Sequence, residues 1–305
     1  MNLGSENMRI VYFGDMLCDY YIRNGVNLSI SGGGDGPNVL VNLSKYFKCA
    51  FYGVCGKDSE GNAANLSLKS VGIDTYIRFI EGETKTRFYY DYNYSLECPY
   101  CKRFYGYDGS KIRVDDVILL KGDYIVVDNL NEVTVNILKK YDNEAFLVLN
   151  DVEEIDSYLF DELTSILKNR FRVISFNEQV YYYLKDKFIV DSYDLYDAFS
   201  PDILVINRGI RGVDVIYNNK FLKKIFENVN QPVCYLGVED AIISEFIRTY
   251  IEENEVTDKT ISKSLIRAST NLSKCVKSYG ARGHILKPYK VLNYKKCICC
   301  SIDVE

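Results

Sequence analysis

The sequence predicts an α/β protein, with a mostly parallel central sheet, helices on both faces and further strands away from the core. Three observations carry this. Short apolar runs of strand length alternate with segments of helical period, most regularly between residues 124 and 206. Two segments, 20–30 and 84–107, depart from that alternation and read as strands away from the core. The chain has 305 residues, 47% of them hydrophobic and 26% charged, enough for one large α/β domain or one domain with a small appendage.

The elements follow in order. Ile10-Val11-Tyr12-Phe13 is an apolar run ending in Gly14-Asp15, a buried strand with a polar, functional end. Residues 19–30 alternate loosely. Gly32-Gly33-Gly34-Asp35-Gly36-Pro37-Asn38 reads as a glycine loop, after which Val39, Leu40, Leu43 and Phe47 fall at helical spacing. Residues 51–54 make the next strand. Gly56-Lys57-Asp58-Ser59-Glu60-Gly61 then turns into a helix running to about Val71, closed by Gly72-Ile73-Asp74. Residues 86–92 and 103–107 are aromatic, strand-like and of exposed character. Strands are expected at 124–127, 145–149, 173–176 and 203–206, with helical patterns such as Leu159, Leu163, Ile166 and Leu167 between them. A hairpin is expected over 214–225 around Asn218-Asn219. Two helices follow, near 241–253 and 258–278, the second with Asp258 as N-cap.

Composition narrows the function. A net charge of −5 argues against a general nucleic-acid binder. No apolar run reaches the roughly 18 residues of a membrane span. Residues 1–7 are polar and lack a secretory apolar core, so the expected location is the cytoplasm. Ten irregularly spaced cysteines then read as reduced thiols. Cys98 and Cys101 form a C-x-x-C pair, and Cys297, Cys299 and Cys300 cluster near the end. They are read as free thiols rather than as a zinc site, so no metal is assigned to protein ligands. The single histidine, His284, reads as a surface or turn residue and leaves little room for histidine-based chemistry.

The chemistry concentrates at Gly237-Val238-Glu239-Asp240, where a glycine-led turn ends in an aspartate at a helix start. The free N–H groups and positive end of a helix hold developing negative charge, and the aspartate can take a proton from an attacking hydroxyl. A first-turn aspartate that merely favours the helix dipole is the alternative. Asp15 is either a bidentate acceptor for ligand hydroxyls or a polar strand end. The glycine run lets a ligand approach the backbone or is a flexible loop. It lacks the Lys-Ser/Thr ending of a P-loop. Asn177 either meets a ligand or ends a strand. Gly209 and Gly212 either let a ligand approach the backbone or make a tight turn.

In this order and spacing, the landmarks resemble those of the ribokinase-like (PfkB) carbohydrate kinases over nearly the whole chain, about 8–290, with 291–305 as a tail. The resemblance implies a three-layer ribokinase-like sandwich whose small lid comes from 20–30 and 84–107. It implies ATP-dependent phosphorylation of a sugar-type hydroxyl, with ATP and Mg²⁺ as cofactors. Asp240 is then the base, with Gly237, Val238 and Glu239 beside it as the anion hole. Asp15, Gly33, Gly34 and Asn38 face the sugar, and Asn177, Asn207, Gly209 and Gly212 lie beside the nucleotide. Tyr279-Gly280-Ala281 is similar to the fructosamine-type kinases within the family. Aromatic lid strands would suit a lid-to-lid homodimer.

The departures from the family pattern fall on the nucleotide side. Cys234-Tyr235 stands where Asp-Thr is usual, Glu239 replaces the second glycine of the hole, Val180 replaces a glutamate that helps place Mg²⁺, and Asn207 replaces a threonine. Two unit charges about 4 Å apart repel by about 1 kcal/mol in water and about 4 kcal/mol at an effective dielectric near 20. Glu239 therefore either turns away, holds a cation or marks an eroded site. The last option describes a pseudokinase that senses a sugar or nucleotide.

Overall fold

The computed structural model describes residues 8–23, 26–91, 104–105, 112–152, 167–188, 191–226 and 232–286. The chain begins with β1 (Arg9–Asp15), β2 (Leu17–Arg23), β3 (Val26–Gly33), α1 (Asp35–Leu43), β4 (Lys48–Gly56) and α2 (Ser59–Lys69). It continues through β5 (Asp74–Ile80), β6 (Lys85–Asp91), β7 (Phe104–Tyr105), β8 (Tyr124–Val127), α3 (Glu132–Lys140) and β9 (Ala145–Leu149). Then come β10 (Phe171–Asn177), α4 (Glu178–Phe188), α5 (Ser192–Phe199), β11 (Ile203–Asn207), β12 (Val213–Tyr217), β13 (Lys220–Lys224), α6 (Val238–Glu253) and α7 (Asp258–Cys275).

Nine strands form the main sheet in the order β13-β12-β11-β10-β9-β8-β1-β4-β5, parallel except that β12 runs antiparallel to both β11 and β13. A sheet buried on both faces needs apolar residues at every position, and successive residues face opposite layers. Ile10 and Tyr12 of β1 enter a core shared with α1, α2, α6 and α7, while Val11 and Phe13 enter one shared with α3, α4 and α5. Strand β9 divides likewise, with Phe146 and Val148 on one side and Ala145, Leu147 and Leu149 on the other. The result is the expected three-layer sandwich.

From β1 the chain builds outward through β4 and β5, then crosses to β8 and builds the other way. Strand order reverses at β1–β8, and such a reversal opens a crevice beyond the carboxyl ends of parallel strands.

The small sheet has the order β3-β2-β6-β7. Its exposed, aromatic character is a sequence expectation that the structure corrects. Tyr20, Tyr21, Phe88 and Tyr89 are all buried. Tyr20 stacks on Phe88 at 5.0 Å and donates to Glu60 of α2, while Tyr21 and Tyr89 pack with Cys234, Leu236 and Tyr279. These described lid aromatics are already covered within the chain, which removes them as the basis for a lid-to-lid dimer.

Other expectations shift by a few residues. The glycine run is shorter as a loop, because β3 extends through Gly33 and α1 begins at Asp35. Gly36 and Pro37 fall in the first turn, where proline's missing N–H costs nothing. Helix α7 is capped by Thr257, whose hydroxyl accepts from the Thr260 N–H, rather than by Asp258. Asn218 and Asn219 take left-handed conformations, with φ of 46° and 57°, and close the expected hairpin. Among the described residues no helix is long and apolar enough to cross a membrane. The expected helix around Leu159, Leu163 and Ile166, the pair Cys98 and Cys101, the cluster Cys297, Cys299 and Cys300, and the tail 291–305 lie outside the described residues.

Candidate active site

A cavity of about 830 Å³ lies at the carboxyl edge of the parallel strands. Its floor is made of polar residues that end or follow apolar strands: Asp15 on β1, Asp128 after β8, Asn150 after β9 and Asn177 on β10. The small sheet contributes Leu17, Asp19, Lys85, Arg87 and Tyr89, and α6 turns its amino end inward with Gly237, Glu239 and Asp240.

Asp240 is almost wholly buried. Its Oδ2 accepts from Asn38 Nδ2 at 2.9 Å and its Oδ1 from Asn150 Nδ2 at 3.1 Å. Burial pushes its carboxyl well above the usual range, and the charges of Asp35 and Glu239 add to the rise. The Asn38 hydrogen bond and the Arg87 charge work the other way. Asp128, also buried, is raised to about 6, first by burial and then by Asp35, against hydrogen bonds from Gly36 N–H, Tyr12 OH and Asn129.

Gly237 forms the N-cap of α6 at φ 75°. A β-carbon there would lie 2.6 Å from the Ala281 Cβ, so both the turn and the close approach require glycine. Val238 departs from the expected anion hole. Its side chain is in the core, and its N–H bonds the Tyr235 carbonyl at 3.3 Å. Glu239 lines the cavity and is half-buried. A β-carbon at Gly209 would lie 3.9 Å from its Oε1, so the carboxylate leans over the Gly209 turn rather than into open solvent.

Of the residues expected to face the sugar, Asp15 pairs through Oδ2 with Lys85 Nζ at 2.9 Å, while its Oδ1 is buried with no hydrogen-bond partner among the described residues. Gly34 lines the cavity at φ 93°. Gly33 does not. Its carbonyl accepts from Arg282 at 3.0 Å and its α-carbon packs on the Asp19 carboxylate. Asn38 reaches the cavity, yet both ends of its amide are engaged, by Asp240 and by Arg282 Nε at 2.7 Å.

The residues expected beside the nucleotide divide. Asn177 lines the cavity but donates to the Asn150 carbonyl and accepts from the Val180 N–H, as a strand-end cap does. Asn207, Gly209 and Gly212 stand behind the wall rather than on it. Asn207 donates to the Glu239 carbonyl at 3.0 Å and accepts from the Gly209 N–H at 3.1 Å. Gly212, at φ 116°, packs against the end of β13. Val180, where the family pattern has glutamate, is buried in the core with α3 and α5. The adjacent Glu178 faces the cavity and pairs with Arg208 and Arg211. His284 lies in a turn, as the second of its two readings had it, and is half-buried, donating through Nε2 to Asn42 Oδ1 at 3.0 Å.

Sequence reasoning missed Asp35, Asp128, Asn150, Lys85, Arg87 and Arg282. Asp128 and Asn150 carry the signal that found Asp15, a polar residue directly after an apolar run. Arg282, in a polar turn, carries none. Among the described residues, eight carboxylates line the cavity (Asp15, Asp19, Asp35, Asp128, Asp151, Glu178, Glu239 and Asp240) against four cations (Lys85, Arg87, Arg208 and Arg211). Among the described residues no three His, Cys, Asp or Glu side chains converge as metal ligands.

No protein-family model matches this chain, and no curated protein does. Solved structures share its fold. A fructokinase double mutant from Vibrio cholerae O395, bound to fructose, ADP and potassium ion, matches with a TM-score of 0.73 at 18% identity, over 90% of this chain and 94% of that one. Aminoimidazole riboside kinase from Salmonella enterica, in complex with aminoimidazole riboside and an ATP analog, gives 0.71 at 14% identity, over 90% and 95%. Ribokinase from Thermotoga maritima gives 0.66 at 14% identity, over 92% and 95%. At these identities the likeness establishes the ribokinase-like α/β fold.

Proposed function

We propose that this chain is an ATP-dependent kinase acting on a hydroxyl of a sugar or sugar derivative, with Asp240 as general base. One observation carries the reading. A buried carboxylate stands at the amino end of a long helix, oriented by two amides, and opens onto the cavity at the strand-order reversal. Asn38 and Asn150 each occupy one lone pair of the carboxylate, leaving it acceptor capacity for a substrate proton. Burial raises its pKa, which strengthens it as a proton acceptor. The positive end of α6 faces the transferring phosphoryl group, with the Asp240 N–H in the first turn as a donor.

The buried Asp15 Oδ1, without a partner among the described residues, supports a hydroxyl-bearing ligand, since a buried acceptor costs free energy until a donor reaches it. The excess of carboxylates supports a nucleotide that binds with a divalent cation rather than free. The donor set fits Mg²⁺, which commonly takes one or two carboxylates and completes its shell with phosphate and water oxygens. Glu239 would hold it, and the ion would neutralise charge on the nucleotide phosphates. The same excess favours a neutral or amine-bearing substrate over an acidic one, the direction in which the fructosamine-type resemblance at Tyr279-Gly280-Ala281 also points.

The test is calorimetric titration with a non-hydrolysable ATP analogue and Mg²⁺, followed by turnover on a sugar panel. Asp240→Asn is the control, with an expected loss of about 10²–10⁴-fold in turnover. A second reading, a sugar or nucleotide sensor without turnover, draws on the negative Glu239 and on Glu178, which already engages Arg208 and Arg211. Folded protein that gives no heat at millimolar analogue favours that reading.

A further inference from the structure

Arg282 lies in the turn that follows α7, with 1% of its surface exposed. Its guanidinium donates from three nitrogens into three different elements. Nε reaches Asn38 Oδ1 on α1 at 2.7 Å, Nη1 reaches Ser67 Oγ on α2 at 2.8 Å, and Nη2 reaches the Gly33 carbonyl on β3 at 3.0 Å. Gly32 leaves the space the guanidinium fills, since a β-carbon there would overlap Nη1.

The contact with Asn38 has a consequence for Asp240. An amide side chain offers an oxygen at one end and an NH₂ at the other, and the two ends have nearly the same shape. Arg282 is donor-only and can meet only the oxygen. The NH₂ end of Asn38 is thereby committed to Asp240 Oδ2, 2.9 Å away. Turned over, Asn38 would set its oxygen against a carboxylate and its NH₂ against a cation.

We infer that Arg282 is a positioning residue for Asp240, acting through Asn38 by fixing which end of that amide faces the base. The inference rests on the reading of Asp240 as the base. It also ties the base to the small sheet, because the same guanidinium holds Gly33. The charged groups that act on Asp240 from the packed elements are Asp35 on α1, Glu239 on α6 and Arg87 on β6, with Arg282 behind Asn38.

The test compares Arg282→Met, which keeps length and loses every donor, with Arg282→Lys, which keeps a charge and a donor. The Asn38 side-chain NH₂ is followed by ¹H–¹⁵N NMR, identified by its loss in Asn38→Ala, alongside kcat and KM at saturating MgATP. Without the clamp, Asn38 is free to turn its oxygen toward Asp240. Arg282→Met is therefore expected to shift the Asn38 NH₂ signals. It should lower kcat about 10–100-fold with KM nearly unchanged, the mark of an interaction made at the reacting centre. Arg282→Lys should recover part of both.

In an Asn38→Ala background, Arg282→Met should lower kcat little further. A full loss surviving there would mean Arg282 acts by charge through space, which overturns the inference. Unmoved Asn38 NH₂ signals, or an unchanged kcat, in folded Arg282→Met also overturn it. If Arg282→Met fails to fold, Arg282→Lys decides alone: its kcat must lie below that of the parent, and equality overturns the inference. A parent protein without turnover on MgATP and the sugar panel, whose Asn38 NH₂ signals still respond to Arg282, instead overturns the kinase reading and leaves the Arg282–Asn38–Asp240 relation standing.

Discussion

At Gly237 two constraints coincide, a left-handed backbone and contact with Ala281. Gly237→Ala is expected to cost about 2–4 kcal/mol, from the left-handed strain and the overlap together, read as a lower denaturant midpoint. Glu239 is the residue on which the two functional readings part. Glu239→Gln should tighten the ATP analogue about tenfold or more without Mg²⁺, the scale set by a repulsion of about 1–4 kcal/mol. It should weaken it when Mg²⁺ is present, and calorimetry with and without the ion checks both signs. His284 offers a clean pH test because it is the sole histidine. Burial, with help from the Lys45 and Lys274 charges, lowers it to about 4. Between pH 6.5 and 4 the unfolded chain binds a proton that the folded chain excludes, so stability falls as pH falls through that window. The loss should reach about 3 kcal/mol at the low end. His284→Gln should remove that slope in denaturant melts, and the imidazole signal of the parent should titrate near 4.

At the scale of elements, the strands were the most legible part of the chain. Those at 124–127 and 145–149 fall where the apolar runs do, because a strand buried on both faces has no polar position to blur its limits. The hairpin was legible in Asn218-Asn219, since asparagine tolerates the left-handed conformation both positions need. Asn219→Thr should cost about 1–2 kcal/mol, because a β-branched residue resists positive φ, and a thermal melt would show it. The small sheet was legible as strands but not in its burial. Whether Tyr20 or Tyr89 faces water depends on α2 and on residues 233–236, which are remote in sequence. Of the candidate site, Asp15 and Asp240 could be read because each sits at an element end with a local signature. Asn38 was read as a ligand for sugar, and its engagement by Arg282, 244 positions away, has no local trace.

At the scale of the molecule, the cavity draws its walls from the main sheet, the small sheet and the head of α6, so a ligand there ties all three together. MgATP analogue at about 100 times its dissociation constant should stabilise the fold by about 2.7 kcal/mol, a rise in melting temperature of several degrees. A sugar substrate should add its own increment. Asp15→Asn should reduce the sugar's increment and leave the nucleotide's, and a thermal-shift matrix of the two ligands against the two proteins tests this.

The strands at 124–127, 145–149, 173–176 and 203–206, the α/β class and the positions of Asp15 and Asp240 were present in the linear pattern, because each depends on periodicity and on turn chemistry within a few residues, whereas β5 was not read. The convergence of Asp240 with Asn38, Asn150 and, through Asn38, Arg282 was not. Neither were the acidity of the cavity, the burial of the lid aromatics and the retreat of Val238 and Asn207 from its wall. These depend on which distant side chains meet when the sheet reverses its strand order, and hydrogen bonds across such separations leave no period in the sequence to read.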